Sequence, residues 1–186
     1  MSVDPLPGPS VAGALWVLLA YSLFIVGAGL VAALNARYWG APLVPVAGGT
    51  PWAGVAAVAL AALVVGTNSL AVRWRPLGEV QAELASAVRP LLGLGPWPLA
   101  LVSGVAEEWV FRGILMPFVG LWFQGLVFGV LHWPAVRRLW PWTLWAVVMG
   151  WLLGALTEYA GALWPAMLTH ALINGLSLTR LSKMPP

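Results

Sequence analysis

Cysteine is absent from the 186-residue chain, which excludes disulfides, thiolate nucleophiles and thiolate metal ligands. Charge is almost absent too. Asp, Glu, Lys and Arg make up 8% of the residues, against about 25% in a soluble domain, and there are only two histidines. The net charge of +3 is not gathered into a basic cluster on an extended soluble face, so nucleic acid is excluded as a partner. No internal repeat is found, and an inverted-repeat transporter lacks its usual sign. What fills the chain is apolar: 61% of it is hydrophobic, in several runs that reach the roughly 20 residues needed to cross a bilayer. The runs are continuous rather than alternating, which argues for helices and against a barrel. The expected fold is an all-α, polytopic transmembrane helix bundle of about six spans plus a short interfacial helix, with 1–186 forming a single integral membrane domain.

The spans are expected at about Val11–Leu34, Trp52–Val72, Pro96–Val119, up to His132, Leu139–Leu156 and Ala162–Leu178. The first follows Met1–Ser10, which carries no Lys or Arg, and it exceeds the length of a signal-peptide core, so it is expected to be retained. Glu79, Glu83 and Arg89 give the stretch Leu77–Leu92 the polarity of a surface helix. Threading six spans from a cytosolic N-terminus places Arg73, Arg75, Arg89, Arg137, Arg138, Arg180 and Lys183 on the cytosolic side and Arg37 outside. The positive-inside rule then predicts a cell-membrane protein with both termini cytosolic. Trp74, Trp133, Trp140 and Trp142 on one side, and Trp39, Trp52, Trp122 and Trp164 on the other, are expected as interfacial anchors.

Within Pro96–Leu126 the only charges are Glu107, Glu108 and Arg112. Each ionisable group in the middle of a membrane helix costs roughly 2.5–3.5 kcal/mol on insertion scales, so the three require partners or water. Residues four apart share a helix face, and three helices carry such pairs: Glu108 with Arg112, Phe128 with His132, and His170 with Asn174. Glu108 is well oriented to pair with Arg112, while Glu107, rotated about 100° around the helix, is free to face a cavity. A hairpin turn near Pro117–Gly120 leaves Glu107 and His132 at similar heights, and His170 lies about 15 Å from the helix end at Arg180, at ~1.5 Å per residue. A carboxylate shielded from bulk water is a good general base, and an imidazole beside it can orient the same water. A second His and an Asn on one face can donate to the oxyanion formed when water attacks an amide. A water-filled site open to the cytosol is the expected result.

The three motifs, Glu107-Glu108-Trp-Val-Phe-Arg112 (EExxxR), Phe128-Gly-Val-Leu-His132 (FxxxH) and His170-Ala-Leu-Ile-Asn174 (HxxxN), occur in that order on separate predicted spans. Together they resemble the CAAX-protease and bacteriocin-processing family of intramembrane endopeptidases, related to the type II CAAX prenyl proteases, over roughly Leu77 to Leu178. The resemblance implies a catalytic core at about 77–178 that cleaves a membrane-associated peptide or protein, prenylated or not. It also implies that Glu107 activates water with His132, that His170 and Asn174 stabilise the oxyanion, and that Glu108, Arg112 and Phe128 support them.

This chemistry needs no cofactor. Zinc is the alternative: Glu107, His132 and His170 would supply three ligands and Glu108 the general base, although HExxH is absent. Two other classes share the residues, a non-catalytic immunity or scaffold protein and a proton-coupled carrier. The spacings of Gly125 with Gly129 and Gly150 with Gly154 read as close helix contact. Gly66, Thr67, Asn68 and Ser69 read as adhesion between helices, with a place in the cavity wall as the alternative, Glu158 as a solvated loop acid, and Phe128 as packing beneath the site.

Overall fold

The computed structural model describes residues 9–41, 43–133 and 139–184. Among these the chain is helical with no strand. The helices are α1 (Val11–Leu34), α2 (Ala53–Ala71), α3 (Arg75–Val88), α4 (Pro96–Glu108), α5 (Met116–Leu131), α6 (Trp140–Ala160) and α7 (Trp164–Leu181). A π-helical turn, Asn35–Trp39, extends α1, and a second, Trp109–Leu115, joins α4 to α5 without a break. Proline opens α3, α4, α6 and α7, where the missing N–H costs nothing and the fixed φ suits a first turn. Ser10 caps α1 by accepting the Gly13 N–H at 3.2 Å.

Among the described residues, four segments are long and apolar enough to span a membrane: Val11–Trp39, Ala53–Ala71, Pro96–Leu131 and Trp140–Ala160. The third is 36 residues long and reverses at Gly120, whose φ of 78° and ψ of 167° belong to backbone that glycine alone adopts readily. It therefore forms the expected hairpin, with Phe111 and Phe128 edge to face across it at 4.9 Å. With the hairpin counted as two passes and α7 packed beside it, the bundle has the anticipated plan. The expected surface helix corresponds to α3 with the short turn Arg89–Leu91, and Arg75 and Glu79 form an exposed i,i+4 ion pair at 3.4 Å.

Two interfaces set the positions of the polar side chains. α4 packs on α7 and α5 on α6, with α2 against α7 and α1 along α4. At the first interface Gly104 lies so near α7 that a Cβ there would sit 3.0 Å from the Ala171 nitrogen, which brings the next turn of α4 against His170. At the second, a Cβ on Gly150 would sit 2.7 Å from the Gly125 Cα, and a Cβ on Gly125 would collide with the Trp151 ring. Gly150→Ala is expected to destabilise the protein by about 1–3 kcal/mol through overpacking against backbone, whereas Gly27→Ala in α1 meets nothing within 4 Å and is expected to leave stability unchanged or raise it. Denaturant unfolding of the two variants in detergent checks the contrast.

Some local expectations change. Glu158 is exposed as expected, but it lies in the last turn of α6, which runs on to Ala160 before Gly161 ends it with a φ of 68°. Thr67 donates to the carbonyls of Leu63 and Val64, and Ser69 to that of Val65, so both hydroxyls donate inside α2 and, among the described residues, tie no neighbouring helix. Arg137 and Arg138 lie outside the described residues.

Candidate active site

The two adjacent acids of α4 separate in environment, as the 100° between neighbours requires. The Glu108 side chain is 0% exposed and receives Arg112 Nη1 at 3.0 Å, while that of Glu107 is 12% exposed and borders a cavity. Arg112 is also wholly buried. Its Nη2 donates to the Gly150 carbonyl at 3.2 Å, and its guanidinium lies 4.5 Å from the centre of the Phe128 ring. The Gly150 carbonyl accepts a second hydrogen bond from the buried amide of Gln124 at 2.9 Å. Gly154 leaves room for that amide, since a Cβ there would sit 2.7 Å from Gln124 Nε2.

The imidazoles have defined tautomers. His132 Nδ1 lies 2.7 Å from the Phe128 carbonyl, an acceptor only, so Nδ1 carries the proton. His170 Nδ1 lies 2.7 Å from Glu108 Oε1, which is already paired with Arg112 and accepts. Both Nε2 atoms are therefore left for Glu107: His132 Nε2 is 3.6 Å and His170 Nε2 3.9 Å from Glu107 Oε2. These distances are too long for direct hydrogen bonds and suit a bridging water. Glu107 Oε2 is itself buried and makes no hydrogen bond among the described residues.

Asn174, one turn beyond His170, donates through Nδ2 to Ser103 Oγ at 3.2 Å, which among the described residues leaves its second amide hydrogen free. Phe128 is 3% exposed and underlies both imidazoles, its ring centre 4.4 Å from that of His132 and 6.2 Å from that of His170. All seven residues singled out by the motifs thus meet at one place. Glu107, Phe128, His132, His170 and Asn174 line a cavity of about 700 Å³ that reaches Arg180 at the end of α7, and Glu108 and Arg112 lie behind it. The remaining wall is largely apolar, and Leu77, Val80, Leu84 and Val88 of α3 cover it.

Several lining residues escaped the spacing argument. Tyr21 of α1 donates its hydroxyl to Glu107 Oε1 at 2.7 Å. Asn68 of α2, for which a place in the cavity wall was the alternative to adhesion, borders the cavity, and so does Trp142, read as an interfacial anchor, whose ring centre lies 6.4 Å from that of His132. A lone Tyr in an apolar run signals only that its hydroxyl needs some partner. Gln124, an amide in mid-span, carried a clearer signal of burial.

The comparisons with known proteins fall on this region. Residues 91–176 match the type II CAAX prenyl endopeptidase Rce1-like family. The match contains all three motifs and bears out the resemblance drawn from them. An uncharacterised protein of Bacillus subtilis strain 168, YpbD, is 38% identical over 80 residues, which cover 42% of this chain and 41% of the relative. The chain therefore matches about two fifths of the length of that curated relative. No solved structure is significantly similar to the chain. On the metal question, among the described residues no group of three or more His, Asp or Glu side chains is placed to hold an ion. Over residues 91–176 the chain is thus similar to a family of membrane endopeptidases, and its helices include segments apolar and long enough to span a bilayer.

Proposed function

We propose that the chain is an intramembrane endopeptidase in which Glu107, as general base, activates one water for attack on a peptide bond. The observation that carries this reading is the buried Glu107 Oε2, which among the described residues makes no hydrogen bond and faces two imidazole Nε2 atoms at 3.6 and 3.9 Å. A water among them gives one proton to Oε2 and hydrogen-bonds through the other to the lone pair of His132 Nε2. Its oxygen attacks the amide carbon. The developing oxyanion accepts from the free Asn174 N–H, and from His170 Nε2 when that ring carries its second proton. Collapse breaks the C–N bond, and Glu107 returns its proton to the leaving amine nitrogen. Glu108 holds His170 by Nδ1, and Arg112 neutralises Glu108.

The substrate is a membrane-associated peptide or protein, prenylated or not, that reaches the cavity past α3. We place the open end at the cytosolic face, because Arg73, Arg75, Arg89, Arg180 and Lys183 lie at that end of the predicted threading. The reaction needs no metal.

The test compares peptide termini, by mass spectrometry, in membranes from cells carrying the native chain and cells carrying Glu107→Gln. New C-termini confined to the native sample are expected, and identical termini would point to a scaffold or a carrier. With the identified peptide and purified protein, exhaustive chelation is expected to leave cleavage unchanged. Stoichiometric zinc whose loss stops cleavage would replace glutamate activation by metal chemistry.

A further inference from the structure

We infer that Tyr21 is a positioning residue for Glu107, holding one carboxylate oxygen so that the other stays turned toward the imidazoles. The inference rests on the reading of Glu107 as the general base, and it extends the working site to α1, outside the matched residues 91–176.

The terminal torsion of a glutamate is soft and roughly two-fold, so nothing intrinsic to the side chain decides which way its oxygens face. Here one contact decides it. Tyr21 Oη donates to Oε1 at 2.7 Å, and among the described residues this is the only hydrogen bond made by the Glu107 carboxylate. With Oε1 engaged, Oε2 is fixed on the side of His132 and His170, where it has no hydrogen-bond partner and is available to a water.

The reach of Tyr21 is itself set by the fold. α1 begins where the Ser10 N–H bonds to the Pro90 carbonyl at 3.1 Å, and Gly93 lets the backbone at Ser10 and Val11 approach closely. From that fixed end, about three turns of helix carry Tyr21 to the level of Glu107, along the contact between α1 and α4. Most of α1 is exposed in the isolated chain, yet Tyr21 points inward and lines the cavity. An anchoring role alone would be served by any buried acceptor. What marks this contact is that it engages the oxygen opposite the one facing the imidazoles.

Tyr21→Phe removes a single oxygen and keeps the ring in place. With the peptide identified by the comparison of native and Glu107→Gln membranes, purified Tyr21→Phe is expected to show kcat lowered on the order of tenfold, with KM and melting temperature unchanged. If Tyr21→Phe cleaves like the native protein while Glu107→Gln is inactive, the positioning role is wrong and the general base stands. A fall in kcat that comes with a lower melting temperature or a raised KM would show Tyr21 to be structural. Equal cleavage by native protein and Glu107→Gln would remove the general base and this inference with it.

Discussion

Glu107→Gln is expected to lower the single-turnover cleavage rate by about 10²–10⁴-fold, the range that loss of a positioned general base produces, with the fold intact. Glutamine matches the volume of the acid and its amide oxygen can still accept from Tyr21. What it cannot do is take a proton from water. Because the Glu107 side chain is 12% exposed at a cavity wall and paired with no cation closer than the imidazoles, removing its charge leaves no buried partner stranded. Purified native and variant proteins compared by rate and by circular dichroism give the result. An unfolded variant would make Glu107 a packing element, and an undiminished rate would leave the water without its base.

Arg112→Met is expected to act in the opposite manner, through stability, at a cost of about 3–5 kcal/mol. The change leaves Glu108 without its permanent counter-charge, with only the His170 imidazole beside it, at a position that is 0% exposed, and it deprives the Gly150 carbonyl and the Phe128 ring of the guanidinium. An ion pair so buried is costly to break and cheap to replace as a whole. The double variant Glu108→Leu/Arg112→Met, similar in volume and carrying no charge, is therefore expected to recover most of the lost stability. It is not expected to recover cleavage, because His170 Nδ1 then has no acceptor and the ring is no longer held toward Glu107. Denaturant unfolding of the single and double variants, alongside their rates, separates the two roles. A double variant as unstable as Arg112→Met would show that the pair does more than balance charge.

The architecture was legible wherever a simple physical constraint acted alone. Continuous apolar runs located the membrane helices, Gly120 marked the reversal, and the four-residue spacing in each motif put Glu108 beside Arg112 and His170 one turn from Asn174. The paired glycines of α5 and α6 were read as close contact for the reason the structure displays, since a Cβ at Gly150 has nowhere to go. Legibility failed where the partner is distant in sequence. Tyr21 and Glu107 are 86 residues apart, and α1 is so uniformly apolar that no periodicity marks its inner face. Asn68, for which lining the cavity was the alternative to adhesion, and Trp142 both border it; a polar residue in a span announces burial or an interface but not which wall of which cavity it faces. The π-helical turn Trp109–Leu115, directly after the two acids, has no signature that spacing rules at 3.6 residues per turn detect.

The decisive observation is the electron density between Glu107 and the two imidazoles in a high-resolution experimental structure, recorded with anomalous data at the zinc edge. A single solvent peak is expected about 2.6–3.2 Å from Glu107 Oε2 and within reach of His132 Nε2, with no anomalous signal. A zinc peak there, or imidazoles turned away so that no one water touches both the carboxylate and a ring nitrogen, would contradict glutamate-activated hydrolysis.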